Sequence, residues 1–442
     1  MGNKVALHNL GCKVNAYEIE AMQQLLEEAG YEIVPFEPGA DIYVINTCTV
    51  TNIADRKSRQ MLHKAKKMNP EAIVVATGCY VQTGGEKLEK DEAIDLVLGN
   101  NQKINIVEAL AEYAENKPGH GSHVIKINQT KEYEELFIDH TAEHVRAYIK
   151  VQDGCNQFCT YCIIPYARGR VRSRNIESVL KEVRALAEKG YKEVVLTGIH
   201  LSSYGVDFPE EKKETLLSLI RAVHEIEGIR RIRLGSLEPG IVTREFAEGI
   251  AALPKVCPHF HLSLQSGCDE TLERMNRRYR RGEYRERCEL LREVYGNPAL
   301  TTDVIVGFPQ ESEEEFRKSY DFVDSIRFYE THIFKYSRRQ GTKAAAMDGQ
   351  LTEAEKSFRS EKMIELHHRH AGDYEKSMLG KNLEVLIEEE YTKDGRTWYL
   401  GHSREYIKTA VPKSEAYGVN DIVIVKAEGF LEEHIMTGEA VE

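Results

Sequence analysis

Apolar runs alternate with amphipathic stretches along the first 115 residues of the chain. Strand patterns occupy positions 5–10, 41–45, 72–76 and 95–98, and helical patterns occupy positions 19–29 and 54–68 between them. Short apolar strands that alternate with helices are typical of a parallel sheet that is covered on both faces. We therefore predict an α/β domain with a wound parallel sheet over residues 2–115.

The same strand–helix alternation repeats six times between about residue 144 and residue 340. Its strands begin near Tyr148, Val194, Ile232, Phe260, Thr302 and Ile333. Six such units predict a partial barrel, which we assign to residues 141–372, with its chemistry at the C-terminal ends of the strands. Residues 116–140, which include Pro118-Gly119, are interpreted as a linker or a β-extension between the domains.

The last part of the chain has a different pattern. After a long charged helix at 352–378, short strands at 383–388, 397–401, 407–411 and 421–426 are separated by turn residues. This pattern predicts a small antiparallel β-barrel over residues 373–438. Residues 373–442 contain 15 Asp and Glu against 8 Lys and Arg, so this module alone does not favour tight binding of a polyanion.

Composition limits the possible classes of protein. A chain of 442 residues has room for about three domains, and its net charge of -12 speaks against a general nucleic-acid binder without local basic patches. No run approaches the ~20 apolar residues of a membrane helix, and the N-terminus lacks the apolar core of a signal peptide. We therefore expect a cytoplasmic protein, in which nine cysteines indicate metal binding or catalysis rather than disulfides.

Three cysteines follow an apolar strand with the spacing C-x3-C-x2-C: Cys155, Cys159 and Cys162. A structural zinc site needs four protein ligands, whereas three thiolates can hold a [4Fe-4S] cluster and leave one iron open. The stretch resembles the radical S-adenosylmethionine (SAM) enzymes. That resemblance implies a (βα)6 barrel, SAM bound to the open iron, and reductive cleavage of SAM to a 5'-deoxyadenosyl radical.

A second set of cysteines, Cys12, Cys48 and Cys79, is spread over the first domain. Each of them follows a predicted strand, and the C-terminal ends of parallel strands lie at one edge of a sheet. We therefore expect the three thiols to converge in space. Taken singly, a cysteine at a strand end is more often a small buried apolar residue.

The motifs around this second set resemble the methylthiotransferase family, and the resemblance extends along the whole chain. The sequences are GCKVNAYE at 11–18, NTCTV at 46–50 and ATGC at 76–79. The resemblance implies that Cys12, Cys48 and Cys79 hold an auxiliary [4Fe-4S] cluster whose open iron carries the sulfur to be donated. It also implies that the C-terminal module is a TRAM domain, an RNA-binding unit, and that the six cysteines are the catalytic residues.

Branches of this family modify isopentenyladenosine in tRNA, an aspartate of a ribosomal protein, or threonylcarbamoyladenosine in tRNA. The motif at 11–18, together with CIIPYARG at 162–169, resembles the third branch. This implies addition of a methylthio group to carbon 2 of threonylcarbamoyladenosine at position 37, beside the anticodon, with the use of two SAM molecules. The implied partners are the tRNA anticodon loop, an electron donor such as flavodoxin or ferredoxin, and a sulfur source.

Further candidate residues lie at the barrel strand ends and in two basic runs. By the resemblance, we predict SAM contacts from Gly198, Ser236, Glu238, Gln265, Tyr336 and Arg338. Candidate RNA contacts are Arg168, Arg170, Arg172 and Arg174 in one run and Arg56, Lys57, Arg59, Lys64, Lys66 and Lys67 in the other. For a charge run, a solvated surface held by salt bridges is the alternative interpretation.

Other hypotheses remain open at this point. In one of them, the substrate is isopentenyladenosine in tRNA or a ribosomal protein aspartate. In another, the chain is a non-enzymatic iron-sulfur protein that binds RNA. In a third, the six cysteines hold zinc and have a structural role.

Overall fold

Six parallel strands form the N-terminal sheet of the computed structural model, which describes residues 3–85, 88, 90–116, 121–141, 145–212 and 214–441. The strands are β1 (Lys4–Asn9), β2 (Glu32–Ile33), β3 (Ile42–Thr47), β4 (Ile73–Gly78), β5 (Leu96–Leu98) and β6 (Gly121–His123). Their order is β2-β1-β3-β4-β5-β6. The helices are α1 (Lys13–Glu28), α2 (Asn52–Met68), α3 (Cys79–Gly84) and α4 (Ile106–Asn116).

Helices cover both faces of this sheet. On one face Tyr43 packs with Leu62 of α2, and on the other Val44 packs with Leu26 of α1 and Leu110 of α4. Strand β3 is therefore buried at every position. This double coverage explains why the strand is apolar from Ile42 to Ile45 instead of alternating in polarity.

The segment predicted as a linker, 116–140, is partly sheet. Gly121–His123 forms β6, which pairs with β5 in parallel and completes the edge of the first sheet. Residues 121–123 therefore extend the first sheet by one strand. Residues 117–120 of the segment, with Pro118-Gly119, lie outside the described residues.

Six further parallel strands form the predicted partial barrel. They are β7 (Arg146–Asp153), β9 (Glu193–Gly198), β10 (Arg231–Leu234), β11 (His259–His261), β12 (Ala299–Val306) and β13 (Glu330–Lys335), with the short β8 (Arg172–Ser173) antiparallel to β7. The intervening helices are α5 (Ile164–Arg168), α6 (Ile176–Glu188), α7 (Leu216–His224), α8 (Arg244–Ala251), α9 (Asp269–Arg274), α10 (Arg281–Tyr295) and α11 (Glu313–Ile326). Isolated bridges such as Ile232–Val256 and Leu237–Leu262 join β10 to the β11 side. The predicted α/β barrel class is confirmed.

The C-terminal region begins with the helix α12 (Glu353–Lys376) and ends in a closed five-stranded barrel. The barrel strands are β14 (Asn382–Lys393), β15 (Arg396–Ser403), β16 (Lys408–Pro412), β17 (Ile422–Glu432) and β18 (Ile435–Ala440). Their order is β14-β15-β16-β18-β17, and most neighbours are antiparallel, as the sequence predicts.

Acidic residues of this small barrel pair with basic residues at the N-terminal ends of the large barrel's strands. Arg231 Nε donates to Glu384 Oε1 at 2.8 Å, and Arg146 pairs with Glu388. Part of the module's acidic excess therefore attaches it to the central barrel.

No helix in the described part of the chain is long and apolar enough to cross a lipid bilayer.

Candidate active site

The three cysteines of the first domain lie on neighbouring loops at one sheet edge. Cys12 precedes α1, Cys48 follows β3, and Cys79 begins α3 directly after β4. Burial and the nearby sulfurs of Cys79 and Cys12 raise the pKa of Cys48 to about 11, so the three sulfurs interact electrostatically. The predicted convergence is therefore present in the structure.

Close packing around Gly11 and Asn15 holds these loops together. A Cβ atom at Gly11, whose φ is +132°, would lie 3.2 Å from Cβ of Cys48. The side-chain amide of Asn15 donates to the carbonyl oxygens of Leu10 at 2.9 Å and Thr47 at 3.0 Å. A glycine is needed here because both the positive φ and the approach of the second loop exclude a side chain.

Arg168 is fully buried and connects the second cysteine set to the barrel. Its Nε donates to Cys79 Sγ at 3.0 Å, and its Nη2 donates to Asn15 Oδ1 at 2.7 Å and to Glu18 Oε2 at 3.0 Å. A guanidinium so enclosed cannot reach a phosphate at the surface. The prediction of an RNA contact by Arg168 is therefore wrong.

Buried charges around Arg168 leave an excess of positive charge. Glu18 and Asp153 are the carboxylates of this group, and four cations pair with them: Lys103, Lys150, Arg168 and Arg172. Although burial raises the pKa of Glu18, the surrounding cations lower it well below its usual range. A buried cationic excess that includes a donor to Cys79 Sγ suits a negatively charged group, such as a metal cluster, at this position.

The triplet Cys155, Cys159 and Cys162 lies in the loop after β7, at the C-terminal end of the first barrel strand. Burial raises the pKa of Cys155 to about 11 and that of Cys162 to about 12, and the sulfur of Cys159 adds to both shifts. Three cysteines close together beside a barrel mouth, without a fourth cysteine in the motif, fit a cluster with one open iron better than a closed zinc site.

Arg277 donates to a cysteine of this triplet, as Arg168 donates to a cysteine of the second set. Its Nη1 donates to Cys159 Sγ at 3.3 Å and its Nη2 to Glu238 Oε2 at 2.8 Å. Glu238 also contacts His200, with 3.4 Å between Nε2 and Oε2, and both border a cavity of about 300 Å³. The predicted cofactor residue Glu238 is therefore held beside the triplet.

A cavity of about 540 Å³ lies between the first domain and the barrel interior. Cys12 and Lys13 border it from the first domain, and Gly198 and Ser236 border it from the barrel strand ends. Tyr406 of the C-terminal barrel contributes to its wall as well. Cys12 of the second set and two of the predicted SAM residues thus face one space, and the SAM contacts of Gly198 and Ser236 stay predictions.

The other predicted SAM residues have different surroundings. The ring of Tyr336 is buried in a cluster with Met275 and Phe308, and its SAM contact stays a prediction. Arg338 is exposed and donates to the carbonyl oxygen of Ala345 at 2.8 Å. Gln265 adopts φ +70° where its backbone bridges to β12, and its cofactor contact stays a prediction.

The other arginines of the first basic run divide into buried and exposed residues. Arg172 and Arg174 are each 1% exposed, and Arg174 pairs with Glu182 inside the protein. Their predicted RNA contacts are therefore wrong, because buried ion pairs hold the guanidinium groups. Arg170 is exposed, with its guanidinium 4.6 Å from the ring centre of Phe158, and remains a candidate.

Arg339 is a site residue that sequence reasoning missed. Its Nη1 donates to Asp55 Oδ2 and its Nη2 to Thr49 Oγ1, both at 2.7 Å, so it fastens the loop after Cys48 to the barrel. The prediction chose the adjacent Arg338 instead. In the sequence, Arg277 is one of seven arginines between positions 274 and 287.

Replacing Arg277 with methionine should slow reductive cleavage of SAM by at least about tenfold, since a charge-assisted hydrogen bond contributes roughly 1.5–3 kcal/mol. The change leaves Glu238 without its closest cation and Cys159 Sγ without its donor. Release of 5'-deoxyadenosine under reducing conditions measures the effect. Arg280→Met, which removes an exposed ion pair with Glu273, is the control, and equal rates in the two variants would contradict the assignment.

The fold and the triplet define a radical SAM protein that carries a second three-cysteine set. Residues 149–323 match the radical SAM superfamily, and residues 4–99 match an uncharacterized protein family, UPF0004. A threonylcarbamoyladenosine tRNA methylthiotransferase MtaB of Bacillus subtilis is 41% identical, covering 96% of this chain and 93% of its own. An MtaB of Aquifex aeolicus is 44% identical over 88% of this chain and 93% of its own. The chain belongs to the radical SAM methylthiotransferase family, in the branch of its MtaB-named relatives.

Relatives with another name are also similar. A tRNA-2-methylthio-N(6)-dimethylallyladenosine synthase of Finegoldia magna is 34% identical, covering 98% of this chain and 93% of its own. Among solved structures, the radical SAM methyltransferase TsrM of Kitasatospora setae has a TM-score of 0.57 at 18% identity, covering 76% of this chain and 75% of its own. The structural likeness supports the fold, and the family membership implies one [4Fe-4S] cluster and SAM.

Proposed function

We propose that the enzyme adds a methylthio group to carbon 2 of N6-threonylcarbamoyladenosine at position 37 of tRNA. We further propose that Cys12, Cys48 and Cys79 hold a second [4Fe-4S] cluster, which provides the sulfur. The shared cavity carries this proposal, because Cys12 borders the same space as Gly198 and Ser236 of the barrel. A base bound there lies beside Cys12 and the ends of the barrel strands. The names of the relatives from B. subtilis and A. aeolicus favour this substrate.

The cofactors, when bound, supply a radical and a methylthio group, and an aromatic C–H requires such chemistry because it is too weakly acidic for ordinary protein bases. The chain's residues provide binding, orientation and exclusion of water. Arg277 positions Glu238 beside the triplet, and Arg168 donates a hydrogen bond to Cys79 Sγ. Tyr406 forms part of the cavity wall that separates the base from bulk solvent.

The tRNA reaches this cavity through its anticodon loop, where an unpaired base is more easily unstacked than in a duplex. The basic face of α2 is the candidate surface for its phosphates. Lys57, Lys64 and Lys67 are exposed and share one side of the helix. None of the three forms an ion pair within the described ranges of the chain, whereas Lys66 pairs with Asp95 at 2.8 Å.

Replacing Lys57, Lys64 and Lys67 together with glutamine should weaken tRNA binding and reduce the slope of log K against log salt by about 2, at roughly 0.7 per phosphate contact. Anisotropy titrations of labelled tRNA at several salt concentrations measure both quantities. The control is a variant in which three other lysines, Lys181, Lys189 and Lys376, are replaced with glutamine. An unchanged slope in the α2 variant would remove this surface from the tRNA contact.

The substrate itself is tested with reconstituted enzyme, SAM and a reductant. We expect tRNA that carries threonylcarbamoyladenosine to yield the 2-methylthio nucleoside, measured by mass spectrometry of the digested RNA. Equivalent tRNA with isopentenyladenosine, and a ribosomal protein with its target aspartate, should remain unmodified. Preferential modification of either alternative substrate would refute the proposed specificity.

We place the reaction in the cytoplasm, with a flavodoxin or ferredoxin as electron donor and a separate sulfur source.

A further inference from the structure

The cavity has a polar inner end, formed by the barrel strands β11, β12 and β13. His261, Thr301 and Glu330 are neighbours in register, and Asp303 pairs in register with His332. All five border the cavity. The Nε2 of His261 lies 3.3 Å from Asp303 Oδ2, and its Nδ1 lies 3.0 Å from Thr301 Oγ1. Such walls suit a ligand with donors and acceptors and do not suit a hydrocarbon chain.

Lys13 enters the same space directly beside Cys12. Both residues have accessible surface, and both border the cavity. Within the described residues, the Lys13 ammonium forms no hydrogen bond or ion pair. Two nearby cations of the barrel, Arg146 and Arg233, are paired with Glu193. Lys13 therefore presents an unpaired positive charge at a confined place in the protein.

The proposed substrate offers the complementary charge. A threonylcarbamoyl group carries a carboxylate, a hydroxyl and ureido N–H groups, whereas a dimethylallyl group carries none of these. In adenine, carbon 2 and the N6 substituent flank N1 on the same edge of the ring. Lys13 borders the same cavity as Cys12, so the N6 substituent of a base that presents carbon 2 to Cys12 lies in the space that Lys13 borders.

We propose that Lys13 binds the carboxylate of the threonylcarbamoyl group and that this ion pair selects the substrate. The inference rests on the proposed function and specifies which group of the nucleoside is recognised. The hydroxyl and ureido N–H groups donate to acceptors of the inner end, of which Asp303 and Glu330 are the anionic ones. A hydrocarbon substituent leaves Lys13 and these acceptors without partners, and sites built for polar groups reject such analogues strongly.

The test pairs a change in the enzyme with a change in the substrate. Anticodon stem-loop RNA is prepared with threonylcarbamoyladenosine and with its carboxamide analogue, which lacks the negative charge. Wild-type enzyme, Lys13→Met and Lys13→Arg are compared for kcat/KM and for RNA affinity by competition. The wild type should prefer the carboxylate by about 30-fold or more, as expected for loss of one partner of an ion pair that the bound RNA shields from water.

In Lys13→Met we expect low activity and low affinity for the carboxylate RNA, with no preference between the two RNAs, while Lys13→Arg restores much of the preference. Iron content and 5'-deoxyadenosine release show whether each variant is folded and loaded, and Lys376→Met is the control at an exposed position outside the cavity. Equal use of both RNAs by the wild type, or a preserved preference in Lys13→Met, would overturn the inference. Absence of methylthiolation of either RNA by the loaded wild type would instead refute the proposed function on which it rests.

Discussion

Replacing Cys12 with alanine should eliminate methylthiolated product while SAM is still cleaved to 5'-deoxyadenosine. Cys12 belongs to the set on the first domain, whereas Cys155, Cys159 and Cys162 lie on the barrel. Losing one of three ligands should empty only the first-domain site, so iron should fall from about eight to about four per chain. Anaerobic iron and sulfide analysis, together with chromatography of 5'-deoxyadenosine and modified nucleosides, measures all three quantities.

Cys288→Ala is the matched control, because Cys288 is a buried cysteine of the hydrophobic core outside both sets. It should retain about eight irons and the product. Retention of full iron and product by Cys12→Ala would contradict a second cluster at this site. Zinc without sulfide in the wild-type protein would contradict both clusters.

Replacing Arg168 with methionine should destabilise the cluster-loaded protein by about 3–5 kcal/mol, as expected when one partner of a buried ion pair is removed. The change deprives Glu18 of its bidentate partner and Cys79 Sγ of its donor. The effect should be larger in the loaded protein than in the apoprotein. Without a thiolate, the four buried cations exceed the two carboxylates, so removing one of them relieves repulsion.

Urea unfolding under anaerobic conditions, before and after removal of iron, measures this difference. Arg170→Met is the control in the same run of sequence. Its side chain is exposed, so the free energy of unfolding should change by no more than about 0.5 kcal/mol. Equal stability of the Arg168 and Arg170 variants would contradict the role of Arg168, as would an equal loss in loaded and apo protein.

Much of the fold follows from local patterns in the sequence. A run such as Tyr43–Ile45 is apolar because helices cover both faces of its sheet, and this makes a parallel strand recognisable. The same logic predicts the meeting of Cys12, Cys48 and Cys79, since each follows a strand of one parallel sheet. These inferences need only the order of strands and helices along the chain.

The predicted RNA contacts of Arg168, Arg172 and Arg174 are wrong because their acidic partners are brought to them only by the folding of the chain. Arginine at every second position is typical of the solvated face of a strand. The run itself contains no acidic residue that would indicate buried ion pairs. Arg168 pairs with Glu18 of the first domain, and Arg174 pairs with Glu182 of the helix that follows it, α6. Burial of a guanidinium depends on such tertiary partners, which a sequence pattern does not contain.

Adjacent residues at a strand end were also difficult to assign. Arg338 and Arg339 follow β13 and differ by one position, yet Arg338 is exposed and Arg339 is buried against Asp55. Outside a regular strand, the side to which a residue points is set by the path of the loop. Lys13 could not be recognised from the sequence for another reason. Its proposed role depends on barrel residues that border the same cavity and are distant in sequence.

The central claim is the identity of the modified nucleoside, and tRNA from a strain that lacks the gene tests it most directly. Quantitative mass spectrometry of the digested tRNA should show complete loss of 2-methylthio-N6-threonylcarbamoyladenosine, a matching gain of N6-threonylcarbamoyladenosine, and no change in isopentenyladenosine derivatives. Reintroducing the gene should restore the methylthiolated nucleoside, and a Cys12→Ala copy should not. Undiminished 2-methylthio-N6-threonylcarbamoyladenosine in the strain that lacks the gene would contradict the proposed function.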